Sequence, residues 1–444
     1  MRHYLRCSAR NTSFLQYGRK PVAFFVPLSR MLSVEEATRL VAATVRPLPI
    51  EYLSLPLAAG RILREELRAD RDFPPFNRVA MDGIALQYAA LEAGQMEFRI
   101  EGTQFAGQAP APIQDPSAAV EIMTGAALPG NLDTVIRYED ITFRTDEAGH
   151  RLACVQVPAP RRGHNVHTQA ADRRQGDLLV PAGTRLEPAE VAVAATVGAI
   201  TVGVTRRPRV AVVSTGDELV LISATPAAHQ IRRSNALMLQ AAAWQAGAEA
   251  EAFHFNDDPA ALRQGLPALL EGYDAVILSG GVSKGKADFL PETLRELGVT
   301  QVFHEVQQRP GKPFWFGQLP GGAVVFALPG NPVSTFVNFY RYAQPWLLSV
   351  QQPEKAREEG ALPGEFTAPV AAVLTQEIQF RPRLTHFLLV SLEPGPDGRL
   401  LATPERAGGS GDMASLLTSA GFLELPADQE HFPVGSVLRT WRFR

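Results

Sequence analysis

The sequence predicts a multidomain chain of mixed α/β and β class, built around a central, doubly wound parallel α/β domain. Three observations point there. From Pro208 to about Leu348, short apolar runs alternate with helical stretches, as in consecutive βαβ units. Segments rich in Gly, Pro and short β-prone runs stand on both sides of that region. The 444 residues also exceed one core, since roughly 150 residues per domain suggests about three domains.

Taken in order, the chain opens on residues 1–30, where Arg2, Arg6, Arg10, Arg19, Lys20 and Arg30 occur with no acid. The apolar patch Val22 to Val26 is short and lacks a small-residue cleavage site, so a disordered extension is expected rather than a targeting peptide. Ser33 followed by Glu36 is a capping box, and the helix it starts should run to about Val45, where Pro47 and Pro49 end it. Residues 71–159 hold the runs Phe98 to Glu101, Ala119 to Met123, Thr134 to Tyr138 and Leu152 to Val157, which suggests an inserted β-domain. Pro188 to Val197 is an alanine-rich helix. With the first helix it is expected to form a discontinuous helical domain of residues 31–70 and 160–204, because neither helix alone is a domain. His164 and His167 have a spacing that could pair two imidazoles on a helix, but with no further ligand nearby they read as a solvated loop.

Residues 205–355 form the α/β domain. Strand Arg209 to Ser214 leads into Thr215-Gly216-Asp217-Glu218, and strand Ala250 to Phe255 into Asn256-Asp257-Asp258. Strand Ala275 to Leu278 leads into Ser279-Gly280-Gly281, strand Gln301 to Val306 into Arg309-Pro310-Gly311-Lys312, and strand Ala323 to Leu328 into Pro329-Gly330-Asn331-Pro332. Helices Ser234 to Ala246, Pro259 to Leu270, Phe289 to Leu297 and Val333 to Leu348 lie between or after them. Every polar or glycine-rich segment follows the carboxyl end of a strand, the edge where open parallel sheets bind ligands. Residues 356–444, with β-prone runs at Ala368, Phe387, Phe422 and Val437, read as a small C-terminal β-barrel or sandwich.

Composition limits the partners. Lys plus Arg number 43 and Asp plus Glu 46, a formal net charge of −3, so bulk attraction to nucleic acid or an anionic membrane is not expected. No apolar run reaches membrane-span length. Two cysteines, Cys7 and Cys154, cannot build a disulfide framework, which fits a reducing cytoplasm.

The chemistry gathers at the carboxyl edge. Gly280, Gly281 and Gly285 let backbone N–H groups approach an anion ahead of the next helix. Gly280, four residues, Gly285 and Lys286 nearly spell a P-loop, but Ala287 stands where a hydroxyl should ligate magnesium. Lys284 and Lys286 read instead as phosphate-neutralising charges. The acids Asp217, Glu218, Asp257, Asp258 and Asp288 come from three loops, and a magnesium ion bridging to phosphate would give such hard oxygen donors a purpose. Asp258, next to Pro259, reads as a helix cap. Arg309 and Lys312 flank Pro310-Gly311 and either receive an oxyanion or sit on a solvated turn.

Together these residues resemble the molybdopterin molybdenumtransferases, the molybdenum insertases that include the E domain of gephyrin. The resemblance runs from Met31 to the end. It is carried by Ala80-Met-Asp-Gly83, Ile122-Met-Thr-Gly-Ala126, Pro181-Ala-Gly-Thr184, Ser214-Thr-Gly-Asp-Glu-Leu219, Ser279-Gly-Gly-Val-Ser283 with Ala287-Asp288, Arg309-Pro-Gly-Lys-Pro313 and Leu328-Pro-Gly-Asn-Pro-Val-Ser334. It implies transfer of molybdate to adenylylated molybdopterin with release of AMP, helped by Mg2+. It also implies a homodimer whose cleft includes the partner's β-insert, and an upstream molybdopterin-adenylylating enzyme. By carry-over Glu218, Asp257 and Asp288 are the catalytic and metal-holding acids. Thr124 and Asp172 join the site from other domains, and Ser410 from the last one. Thr215, Gly216, Asp217, Ser279, Gly280, Gly281, Ser283, Lys284, Lys286, Arg309, Lys312, Pro329, Gly330, Asn331 and Pro332 would hold substrate.

The pattern is departed from at four places. Asn77 replaces an acid, Glu305 a lysine and Leu389 an arginine, while the helix-start element that usually contains Tyr-Asp is Arg232-Arg-Ser-Asn235. Asn77, Glu305 and Leu389 keep one alternative in view, a catalytically weakened dimeric scaffold or pterin-binding protein. A second is a molybdopterin adenylyltransferase-like enzyme, since the α/β domain alone would resemble that fold too. The two flanking β-domains argue against the latter. A P-loop nucleotide hydrolase is more distant still.

Overall fold

The computed structural model describes residues 31–282, 289–353, 370–405 and 408–444. Ser283, Lys284, Lys286 and Asp288 therefore lie outside the described residues, as does the 1–30 extension. The chain divides into two compact units. The first comprises, within the described residues, 31–45, 208–348 and 370–444; the second is built on residues 46–207 and the short stretch 349–353.

The centre of the first unit is a six-stranded sheet of β1 (Arg209–Thr215), β2 (Glu249–Phe255), β3 (Ala275–Ser279), β4 (Thr300–His304), β5 (Trp315–Gln318) and β6 (Val324–Leu328), in the order β2-β1-β3-β6-β5-β4. β3 and β6 are buried at every residue, as continuous apolar runs covered on both faces should be. Leu262, Leu266 and Leu269 of helix Pro259–Gly272 join Leu290 and Leu294 of helix Leu290–Glu296 in the core on one side. Helix Ser234–Gln245 packs beside helix Pro332–Asn338.

Two features depart from the expectation of uniform parallel alternation. β5 is a strand that the alternation does not announce, and it runs antiparallel to both β4 and β6. Its flanking aromatics explain it: Phe314, Trp315 and Phe316 are fully buried, so the segment is drawn into the core by burial rather than by local pattern. The expected helix Val333 to Leu348 is interrupted by a π-helical turn at Phe339–Ala343 before resuming at Gln344–Gln351.

The first helix, Val34–Ala42, has the foreseen capping box, with Glu36 N donating to Ser33 Oγ at 3.1 Å and Ser33 N to Glu36 Oε2 at 3.0 Å. Its partner differs from the expected one. It lies in the α/β unit while helix Pro188–Thr196 lies in the other, because Trp346 Nε1 donates to Thr44 Oγ1 at 3.0 Å and Leu32 bridges to Val306. A closed barrel completes the unit. Thr385–Pro394 pairs with Leu400–Pro404, then Val370–Leu374, Val437–Arg442 and Gly421–Leu425, which returns to Thr385–Pro394. Closure removes open strand edges.

The second unit holds a six-stranded sheet in the order Thr134–Arg137, Gly83–Leu86, Ala119–Ile122, Glu97–Gln104, Arg151–Val155 and Ile141–Thr145. It also holds the antiparallel pair Ile50–Ser54 and Thr201–Thr205 over a core of Leu63, Leu186, Ala194 and Val202. Among the described residues no helix is long and apolar enough to cross a membrane.

Candidate active site

In the first unit β1 connects outward to β2 on one side, while β3 lies on the other, so the crevice between the ends of β1 and β3 is the topological switch point. Thr215 closes β1 and is buried, yet its Oγ1 has no partner among the described residues. Gly280 follows β3 at φ 105°, a conformation open to glycine, and a Cβ there would lie 3.0 Å from both Thr215 O and Oγ1. A second unpartnered acceptor faces the same loops. Asn235, at the start of helix Ser234–Gln245, donates from Nδ2 to Ser279 Oγ at 2.9 Å and Gly330 O at 2.8 Å, leaving its buried Oδ1 without a partner. Buried polar atoms are ordinarily satisfied. Two orphans beside a glycine loop mark a place shaped for a polar ligand.

Two of the sequence-predicted acids border this crevice. The Glu218 carboxylate folds back over Gly216, where a Cβ would meet its Oε2 at 2.6 Å. Asp217 Oδ1 accepts from Asp257 N at 3.3 Å, which ties the loop after β1 to the loop after β2. Asp258 is the cap foreseen, accepting from Ala260 N at 3.0 Å and Ala261 N at 3.3 Å. Among the described residues no group of three or more His, Cys, Asp or Glu forms a metal cluster.

Beside the switch point lies a cleft of about 470 Å³ between the loop after β4, the loop after β6 and the barrel. Arg309 and Lys312 line it from the first loop, Pro329 and Asn331 from the second, and Ser410 and His386 from the barrel. Asn331 Nδ2 donates to Ser410 Oγ at 2.9 Å, and Val333 N to Ser410 O at 3.0 Å. Pro332 begins its helix at the first helical position. The spacing of the two cations is held from behind by Gln308, which is fully buried. Its Nε2 donates to Asn338 Oδ1 at 2.6 Å, Pro310 O at 3.1 Å and Gly311 O at 3.3 Å, and its Oε1 accepts from Tyr342 at 2.5 Å.

The cleft's charge is simple. Burial, aided by the charge of Arg309, pushes the His386 imidazole down to about 4, so near neutral pH it is uncharged. Its ring stacks on Phe380 with centroids 4.2 Å apart. Leu389, at the position of an expected arginine, is buried in the lining. Glu305 begins the β4 loop with a left-handed backbone at φ 74°. Arg232 Nε donates to Ile222 O and Ala224 O, each at 3.1 Å, and Arg233 Nε to Leu219 O at 3.4 Å, so both fasten their own loop. Gln308 and His386 escape a reading of the sequence, since neither stands in a recognisable motif, whereas Asn235 closes the helix-start element Arg232-Arg-Ser-Asn235 without its role being legible there.

In the second unit Thr124 donates twice to Asp82 Oδ1, from N at 2.6 Å and Oγ1 at 2.7 Å, and these bonds hold the Asp82 carboxyl below the usual range. Asp172 Oδ1 lies 3.1 Å from His167 Nε2. His164 and His167 do not share a helix: His167 belongs to the short strand Val166–His167, and His164 to the turn before it. Asn77 Oδ1 accepts from Gln169 N at 2.9 Å.

Three domain families match the chain in succession: the MoeA N-terminal region (domain I and II) over residues 32–198, the probable molybdopterin binding domain over 211–349, and the MoeA C-terminal region (domain IV) over 371–442. The molybdopterin molybdenumtransferase of Synechocystis sp. is 36% identical over 411 residues, 91% of this chain and 98% of the relative. That of Bacillus subtilis is 30% identical over 93% of this chain and 94% of the relative. Among solved structures, a molybdopterin biosynthesis MoeA protein from Pyrococcus horikoshii superposes with a TM-score of 0.79 at 30% identity, covering 94% of this chain and all of that one. Since sequence likeness at this level spans nearly the whole of both chains, the chain belongs to the molybdopterin molybdenumtransferase family.

Proposed function

We propose that the chain transfers molybdate to the dithiolene of adenylylated molybdopterin with release of AMP. The coarser statement follows from the family: this is an enzyme of molybdenum cofactor biosynthesis that inserts molybdenum into molybdopterin. One observation supports the finer reading. The loop Pro329-Gly-Asn-Pro332 touches both subsites, with Gly330 O bonded to Asn235 at the switch point and Asn331 bonded to Ser410 in the cationic cleft. A pterin phosphate at the glycine loop and a molybdate dianion between Arg309 and Lys312 would thus sit on either side of one short loop. The anion suits that cleft because bidentate guanidinium and ammonium donors match a tetrahedral oxyanion.

Mg2+ suits the donors present: Glu218 and Asp257 are hard oxygen ligands on adjoining loops, and with Asp288 they would hold an ion that neutralises charge developing on the phosphoric anhydride. The Glu218 carboxylate lies close against Gly216, an approach open because that residue carries no Cβ. Thr124 and Asp172 are the candidate contributions of the second unit, in a homodimer acting in the cytoplasm. The adenylyl group requires an upstream adenylylating enzyme.

Release of AMP from adenylylated molybdopterin, followed with and without molybdate, tests this reading beside Glu218→Gln and Asp288→Asn. Molybdate-dependent release that both substitutions abolish supports it. A scaffold is the second reading, favoured by the buried Leu389 in the cleft, and binding of the substrate without any release would establish it instead.

A further inference from the structure

We propose that His167 is a positioning residue for Asp172, set in a single tautomer by Arg78. This rests on the reading that Asp172 serves the substrate. The register of the antiparallel pair Val166–His167 with Arg78–Val79 places His167 opposite Arg78. Arg78 Nη2 lies 3.2 Å from His167 Nδ1, and His167 Nε2 lies 3.1 Å from Asp172 Oδ1. A guanidinium has donors and no acceptor, so Nδ1 must carry a lone pair. The proton of the neutral ring therefore sits on Nε2 and is donated to Asp172. With the ring in this form the bond to Asp172 is a neutral N–H donated to a carboxylate oxygen, and not an ion pair with an imidazolium. The bond engages Oδ1 and leaves Oδ2 to meet a substrate donor or a cation.

These side chains are 36% and 55% exposed, so water competes for a hydrogen bond between them. What orders the pair is the loop beneath it. The Asp72 carboxylate accepts from Gln175 N at 3.0 Å and Gln169 Nε2 at 2.8 Å, clamping both ends of the segment. Ala170 N donates to Pro74 O at 3.1 Å and Asp172 N to Phe73 O at 2.9 Å. Within this clamp Ala170 adopts left-handed backbone at φ 61°, as Asn165 does at φ 53° just before it, a conformation unfavourable for alanine and sustained where neighbouring contacts over-determine the chain. Such rigidity has no use in a solvated loop; it has one in a loop that must aim a carboxylate.

The test uses the full chain and two independent readouts. Long-range 1H–15N spectra of protein labelled at histidine, with His167 assigned by the signals lost in His167→Gln, should show the neutral Nε2–H form at pH 7.5. Arg78→Met should disturb it. A charged ring or the Nδ1–H tautomer in the unsubstituted protein would overturn the assignment. In molybdate-dependent turnover His167→Leu should lose on the order of 10–100-fold, as orienting partners of functional groups do. His167→Gln, whose Nε2 can replace the donor, should recover most of that. Equal impairment of the two variants, at equal melting temperature, would remove the positioning role. Full activity in Asp172→Asn would remove Asp172 from the site and His167's purpose with it, whatever the spectra say of the tautomer.

Discussion

Asn331, at the cap of the helix that follows the last strand of the sheet, is joined to Ser410 of the barrel by a 2.9 Å bond from Nδ2 to Oγ. The bond fixes one wall of the cationic cleft against the other. Asn331→Ala removes a single exposed hydrogen bond, worth about 1 kcal/mol. Under the proposed reading the affinity for molybdate should fall about fivefold, and folding stability by no more than about 1 kcal/mol. Titration of molybdate against turnover checks this, and an unchanged half-saturation value would take Ser410 out of the oxyanion site.

Asp257 and Asp258 are neighbours in sequence with separable roles. Asp258 accepts from two backbone N–H groups at the start of helix Pro259–Gly272, so Asp258→Ala should cost about 1 kcal/mol of stability and leave turnover in place. Asp257→Asn should do the reverse, keeping stability and losing turnover. Denaturant midpoints and rates measured on both variants decide it; the opposite pattern would exchange their roles.

Much of this was legible before any coordinates. β3 and β6 read as buried strands because they are unbroken apolar runs, and Ser33 with Glu36 announces a helix start through local bonds alone. The less legible features depend on contacts distant in sequence. β5 is a four-residue strand, too short for periodicity to show. The face of helix Val34–Ala42 reveals that it is buried but not against what, and Trp346, the residue that receives it, lies some three hundred positions away. Gln308 acquires its role from Asn338 and Tyr342, and no motif joins these three. At the site, the glycine loops and the Arg309/Lys312 pair could be read from residue type, whereas Asn235 and His386 are polar residues whose meaning comes from what surrounds them.

Gln308 should be the position where stability and anion binding fall together. Replacing it with leucine leaves the Asn338 amide and the Tyr342 hydroxyl without their buried partner. At about 1–3 kcal/mol for each unsatisfied buried group, the loss should be roughly 2–6 kcal/mol. The Pro310-Gly311 turn would lose its support, so Arg309 and Lys312 would no longer be held at a set spacing, and molybdate binding should weaken in the fraction that remains folded. Urea unfolding with and without molybdate measures both. A variant as stable as the parent would mean that the turn is held by other contacts.

His386 makes the stability of the first unit depend on pH. Its imidazole, ordinarily near 6.5, is pushed down to about 4 by burial and then by Arg309, so below the ordinary value the unfolded chain takes up a proton that the folded chain refuses. The sign follows from linkage: stability is fully present above about pH 6.5 and is lost as pH falls toward 4. At about 1.4 kcal/mol per pH unit, the loss between pH 6.5 and pH 5 should be roughly 2 kcal/mol. His386→Phe keeps an aromatic ring beside Phe380 and removes the titration, so its unfolding free energy should change less than the parent's over that range. A bound oxyanion would offset the repulsion from Arg309, and molybdate should therefore shallow the slope of the parent but not that of the variant. Parallel slopes for parent and variant would mean that His386 is charged in the folded protein, and the cleft would then hold three cationic groups where the present geometry holds two.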